Sequence, residues 1–162
     1  SMKALLPAPA EVQTRLAGLT TSDLEFSSSA GVAGAPPAFV AQLYEDAATA
    51  ASALAAQRGK LTACVGRDDA SAACARELVT TLGRRAFRRP LSSEEAAGFE
   101  ALFRQAAAHG TAVAVEKVAH AMLISPHFLF RSELGAPGAT GPEVTLTPHE
   151  HASALSFFLT DG

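Results

Sequence analysis

Tryptophan is absent from the 162-residue chain, tyrosine occurs once, and aromatic residues make up 6% of it. Strands favour aromatic and β-branched side chains, whereas this chain is rich in alanine, so an all-β fold is disfavoured from the start. No stretch approaches the ~20 consecutive apolar residues that a membrane span needs, and Ser1–Ala10 lacks the long apolar core of a secretory signal. An excess of positive charge is also missing. Thirteen basic against sixteen acidic side chains give a net charge of −3, so no whole-molecule field draws the chain to nucleic acid or anionic lipid. Gly-x-Ser-x-Gly, a phosphate-binding loop, His-Glu-x-x-His and a dinucleotide fingerprint are all lacking, so the standard enzyme templates do not apply. There is no Cys-x-x-Cys-His, which excludes the usual covalent attachment of haem within this chain. No repeat of fixed period is present.

What the sequence does contain is helical periodicity. A hydrophobic fraction of 48% in 162 residues is enough for one domain with a core of its own. The expected architecture is all-α, a five- or six-helix array with a Gly/Ser-rich loop and one short extended segment. The first helix is expected over about Ala10 to Leu19, from Val12, Leu16 and Leu19, followed by an ordered loop from Thr20 to Ala35 that includes Ser27, Ser28 and Ser29. Pro36-Pro37 opens a long helix to about Gln57, with Phe39, Val40, Leu43, Tyr44, Ala47, Ala51 and Leu54 at helical spacing and Gly59 as its stop. Its Ala47–Ala56 portion is small on nearly every face and permits close approach of another helix.

A further helix is expected after Asp68-Asp69, where a carboxylate can cap free N–H groups, running through Cys74, Leu78, Val79, Leu82 and Phe87 toward Pro90. Ser92 and Glu95 form an S-x-x-E capping box that starts the next, which continues to His109-Gly110. Thr111 to about Ser125 follows, and Ser125-Pro126 caps a short continuation through Phe128 to Glu133. After a linker from Gly135 to Pro142 and a brief extended stretch at 143–146, Thr147-Pro148-His149-Glu150 is a second capping box. It opens a last helix whose apolar face is Leu155, Phe158 and Leu159.

Two groups of residues carry candidate chemistry. Arg84, Arg85, Arg88 and Arg89 place four positive charges within six residues, leaving −7 for the rest of the chain. At helical spacing Arg84 and Arg88 share one side and Arg85 and Arg89 another, all near a helix C-terminus that favours cations. The cluster is read as chiefly architectural, with at least one arginine tied to an internal carboxylate; the alternative is an anion or partner site, since guanidinium forks suit carboxylates and phosphates. Glu116, His120 and His127 can fall on one helical side and act as metal ligands only if Pro126 does not turn the helix aside. A Glu116–His120 surface pair and a His127 hydrogen-bonded beside the Pro126 break is the simpler reading. His149 and His151, two apart, face different sides and are poor joint ligands.

Several segments in fixed order carry a resemblance: Cys64 and Cys74 flanking an acidic turn; Leu82-Gly83-Arg84-Arg85-Ala86-Phe87-Arg88-Arg89-Pro90-Leu91-Ser92-Ser93-Glu94-Glu95; Leu123-Ile124-Ser125-Pro126-His127-Phe128-Leu129-Phe130-Arg131-Ser132-Glu133; and Leu146 to Leu159. Over the last two-thirds of the chain they resemble the uncharacterised helical domains of large exported planctomycete and myxobacterial proteins, many associated with c-type cytochrome modules. The resemblance implies an exported setting and a redox neighbour, without catalytic residues. Export in turn favours pairing of Cys64 with Cys74 in a structural disulfide over two buried free thiols or a redox-active pair.

The overall expectation is therefore a single helical domain spanning residues 1–162 within a longer multidomain protein, Ser1-Met2 being the remnant of a cleaved tag. Its expected place is the periplasm or cell surface, and its expected role is that of a structural and interaction domain. Its partners are expected to be flanking domains of the same polypeptide or a redox partner, without nucleic acid. No cofactor or metal is expected in this chain, haem being confined to a neighbouring module. The alternative is part of an enzyme site completed by other segments, to which the arginines or His127 contribute. The Phe157-Phe158 face of the last helix is expected to be covered in the intact protein.

Overall fold

The structure is a computed structural model and describes residues 37–130, 133–136, 138, 140 and 143–160. The helix expected over Ala10 to Leu19 and the loop over Thr20 to Ala35 lie outside the described residues, as do the side chains of Phe39 and Phe157. Within them the chain forms α1 (Pro37–Ala56), a 3-10 turn (Arg58–Lys60), α2 (Ala63–Gly66), α3 (Ala72–Phe87), α4 (Ser93–Ala107), α5 (Thr111–Leu123), α6 (Pro126–Leu129) and α7 (Pro148–Thr160). The fold is all-α, and no strand occurs among the described residues; the segment 143–147 before α7 is irregular.

α5 is the central helix. It packs against α1, α4, α3, α2 and α6, and its Ala114, Val115, Val118, Ala119 and Met122 are all fully buried. α1 lies along it through Ala47, Ala50, Ala51, Leu54 and Ala55, the small face that the sequence marks for close helix approach. α3 contributes Leu78, Val79 and Leu82, and α4 contributes the fully buried Phe103.

Local signals set the boundaries. Ser92 and Glu95 form the capping box at the start of α4: Ser92 Oγ accepts from the Glu95 amide at 3.1 Å while Glu95 Oε2 accepts from the Ser92 amide at 2.8 Å. Gly110, at φ 111°, turns the chain between α4 and α5. The start of α3 differs from expectation. Its cap is Ser71, whose Oγ accepts from the Cys74 amide, and Asp69 instead accepts from the Ser71 amide at 2.8 Å, which holds its carboxyl below the usual range. Its neighbour Asp68 sits in the left-handed region at φ 57° and accepts both Nε and Nη2 of Arg58.

The 3-10 turn and α2, both of four residues or fewer, fill the stretch from Arg58 to Gly66, where the sequence shows no periodicity. They close on themselves at two glycines, since a Cβ on Gly66 would come within 2.8 Å of Gly59 Cα. Cys64 of α2 is disulfide-bonded to Cys74 of α3, with Cα atoms 5.7 Å apart and both residues buried. The Thr62 hydroxyl donates to Cys64 Sγ at 3.2 Å, the bonded sulfur having no hydrogen to offer.

Candidate functional site: the arginine corner

Between α3 and α4 the chain turns sharply, and the turn gathers most of the residues singled out above. α3 ends at Phe87 because Arg88 takes a left-handed conformation (φ 57°, ψ 18°). The stop therefore comes before Pro90, and Arg88 and Arg89 are not helical. The two arginine rows expected at i, i+4 do not form. Arg84 and Arg85 stay in the last turn of α3 and are exposed, whereas Arg88 and Arg89 are turned inward and partly buried.

Arg89 makes a two-pronged pair with Glu95, Nη2 to Oε1 at 2.6 Å and Nη1 to Oε2 at 2.8 Å, and its guanidinium lies 5.6 Å from the centre of the Phe87 ring. Oε2 is the same oxygen that caps the Ser92 amide, and Oε1 also lies 3.4 Å from His127 Nε2. One carboxylate thus joins the end of α3, the start of α4 and the start of α6. The hydrogen bonds from Arg89, followed by that from the Ser92 amide, hold its pKa down at about 2 against the opposing effect of burial. Arg89 is correspondingly held more basic by Glu95. Arg88 Nη1 donates to the carbonyl of Phe128 at 3.4 Å, and partial burial lowers its pKa.

α6 completes the corner. Ser125 caps it, its Oγ accepting from the His127 amide at 3.3 Å, with Pro126 at the first helical position and Phe128 buried. The His127 ring stands 5.4 Å from the Phe87 ring, which also meets Phe99 edge-on at 6.0 Å. The arginine-proline and Ser-Pro-His-Phe segments, some forty residues apart in sequence, therefore hold each other in space. Beneath them, Leu91 fills the space over Gly83, where a Cβ would come within 2.5 Å of Leu91 Cδ1.

Glu116, His120 and His127 are not brought together. α5 ends at Leu123 and a new cap intervenes at Ser125, so the helical line through the three is broken. Glu116 lies 3.5 Å from Lys117, His120 Nε2 is 3.3 Å from the Tyr44 carbonyl with its ring edge-on to Tyr44, and His127 belongs to Glu95. The expected Glu116–His120 pair gives way to these partners. No group of three or more His, Cys, Asp or Glu among the described residues is placed to hold a metal ion. Glu95 is the residue the sequence reading placed only in part, since its cap was evident and its ion pair was not.

A second carboxylate latch lies at the start of α7. Glu150 accepts from the Thr147 amide and hydroxyl through Oε2, and from the Leu134 and Gly135 amides through Oε1 at 2.8 and 3.1 Å. The Thr147 amide, then its hydroxyl and the other two amides, hold its pKa down at about 2. Beyond this latch Leu155, Phe158 and Leu159 of α7 are 58%, 83% and 68% exposed.

Residues 74–133 match the model of a family described as PSD5, a protein of unknown function (DUF1595). The match covers a little over a third of the chain, from Cys74 in α3 through α6, and includes the whole arginine corner. Searches of curated proteins and of solved structures found no match. α1, Cys64 and α7 lie outside the matched segment. No helix among the described residues is long and apolar enough to cross a membrane.

Proposed function

We propose that the chain is a structural and interaction module of a larger exported protein, positioned beside an electron-transfer domain that carries any haem. The observation that carries this reading is the apolar row of α7. Leu155, Phe158 and Leu159 are exposed on a helix that takes part in none of the principal helix–helix packings among the described residues, yet the start of that helix is fixed by four hydrogen bonds to Glu150. A helix anchored at one end and apolar on its outer side is suited to docking a neighbouring module. The arginine corner supports the same reading, because Arg88, Arg89 and His127 face protein groups and so serve architecture. The buried disulfide is compatible with an oxidising compartment.

The test separates docking from folding. Leu155→Ser with Phe158→Ser should leave the unfolding midpoint of the chain nearly unchanged, within about 0.5 kcal/mol. The same pair should abolish association with the flanking segments of its polypeptide supplied as a separate protein. Loss of stability without loss of association would make α7 part of the core instead.

The enzyme alternative rests on His127, 47% exposed beside an ionised carboxylate. Replacement by Gln would remove activity under that reading and would leave docking intact.

A further inference from the structure

The corner uses two of its four arginines and leaves two outside. Arg84 and Arg85 are exposed in the last turn of α3, and neither has a hydrogen-bond or ion-pair partner among the described residues. Thr80 and Thr81 precede them by one helical turn on the same sides. We propose that this outward strip of α3, Arg84 and Arg85 with Thr80 and Thr81, receives a short carboxylate-rich segment of a protein partner.

Three features select that partner. Adjacent helical residues point about 100° apart, so the two guanidinium groups diverge and are poorly placed to close on a single phosphate; they suit separate carboxylates spread along a chain. The other arginines of α3 and of the turn after it do not widen the site, because Arg88 is turned to the Phe128 carbonyl, Arg89 holds Glu95, and Arg76 lies by Glu100. The positive surface is therefore small, and the net −5 carried by the chain outside these two arginines repels a long polyanion such as nucleic acid while leaving room for a short acidic segment. The C-terminal end of α3 favours cations as well, but that effect is weak and salt-screened for exposed side chains and does not require two diverging arginines.

The inference rests on the interaction-module reading and deepens it with residues of α3 instead of α7. The experiment is a titration of the whole chain, followed by backbone amide NMR, with a synthetic peptide of alternating Glu and Ser. Its Gln counterpart, inorganic phosphate and a single-stranded oligonucleotide serve as the other probes. The acidic peptide should shift resonances over Thr80 to Arg85. Arg84→Gln with Arg85→Gln should weaken it about five- to tenfold, as two exposed charge pairs imply, with at most a small shift of the unfolding midpoint. Perturbations that are absent or spread over the surface, an unchanged affinity in the double variant, or equal or tighter binding of phosphate or oligonucleotide at the strip would each overturn the proposal. The α7 substitutions should leave peptide affinity unaltered. If they abolish docking while the strip still binds the peptide, the two claims stand separately; if docking survives them, the α7 reading fails alone.

Discussion

Glu95 shows how one side chain can serve several elements. Its capping role was evident from the four-residue pattern Ser92-Ser93-Glu94-Glu95, because capping is local. Its pairing with Arg89, six residues earlier, depends on the left-handed turn at Arg88, a conformation that a non-glycine residue rarely adopts and that the sequence does not announce. Arg89→Ala should lower stability by about 1–2 kcal/mol, between the values for exposed and buried ion pairs, as measured by denaturant unfolding. Acid should reveal the same carboxylate. Its pKa in the folded chain, about 2, lies below the ordinary 4.5. The contribution is therefore fully present above about pH 4.5 and is lost as the pH falls toward 2. Glu95→Gln should make the acid limb of stability shallower between those values, leaving the part due to Glu150 and Asp69; an unchanged limb would mean that Arg89 and the Ser92 amide do not hold the Glu95 carboxylate in solution.

At the scale of elements, the long helices and both capping boxes were readable from periodicity and spacing. The connection between α1 and α3 was not, because a 3-10 turn and a four-residue helix are too short to show a period. What orders that segment is a cross-link and two facing glycines. Replacing Cys64 and Cys74 with serine should destabilise the chain by about 2–3 kcal/mol and speed amide exchange in α2 more than in α5. Uniform exchange across both helices would argue against a local staple. Gly83 makes a similar point at the corner. Gly83→Ala should destabilise by about 1–3 kcal/mol through overpacking against Leu91, and Leu91→Ala in the same chain should offset part of that loss.

For the whole molecule, helix content and core were legible, since Ala47, Leu54, Leu78, Val79, Val115, Val118 and Met122 were on the expected stripes and are buried. The division of the arginines was not. Helical spacing alone puts Arg84 with Arg88 and Arg85 with Arg89, whereas the fold separates the first two from the last two, and this separation is the centre of the account: an inner pair that joins α3, α4 and α6, and an outer pair left for a partner. Global unfolding in denaturant of four single variants, Arg84→Ala, Arg85→Ala, Arg88→Ala and Arg89→Ala, tests it most directly. The account predicts losses of about 1–2 kcal/mol for Arg88→Ala and Arg89→Ala, and less than about 0.5 kcal/mol for the other two. Four equal losses, or native stability in all four, would contradict it.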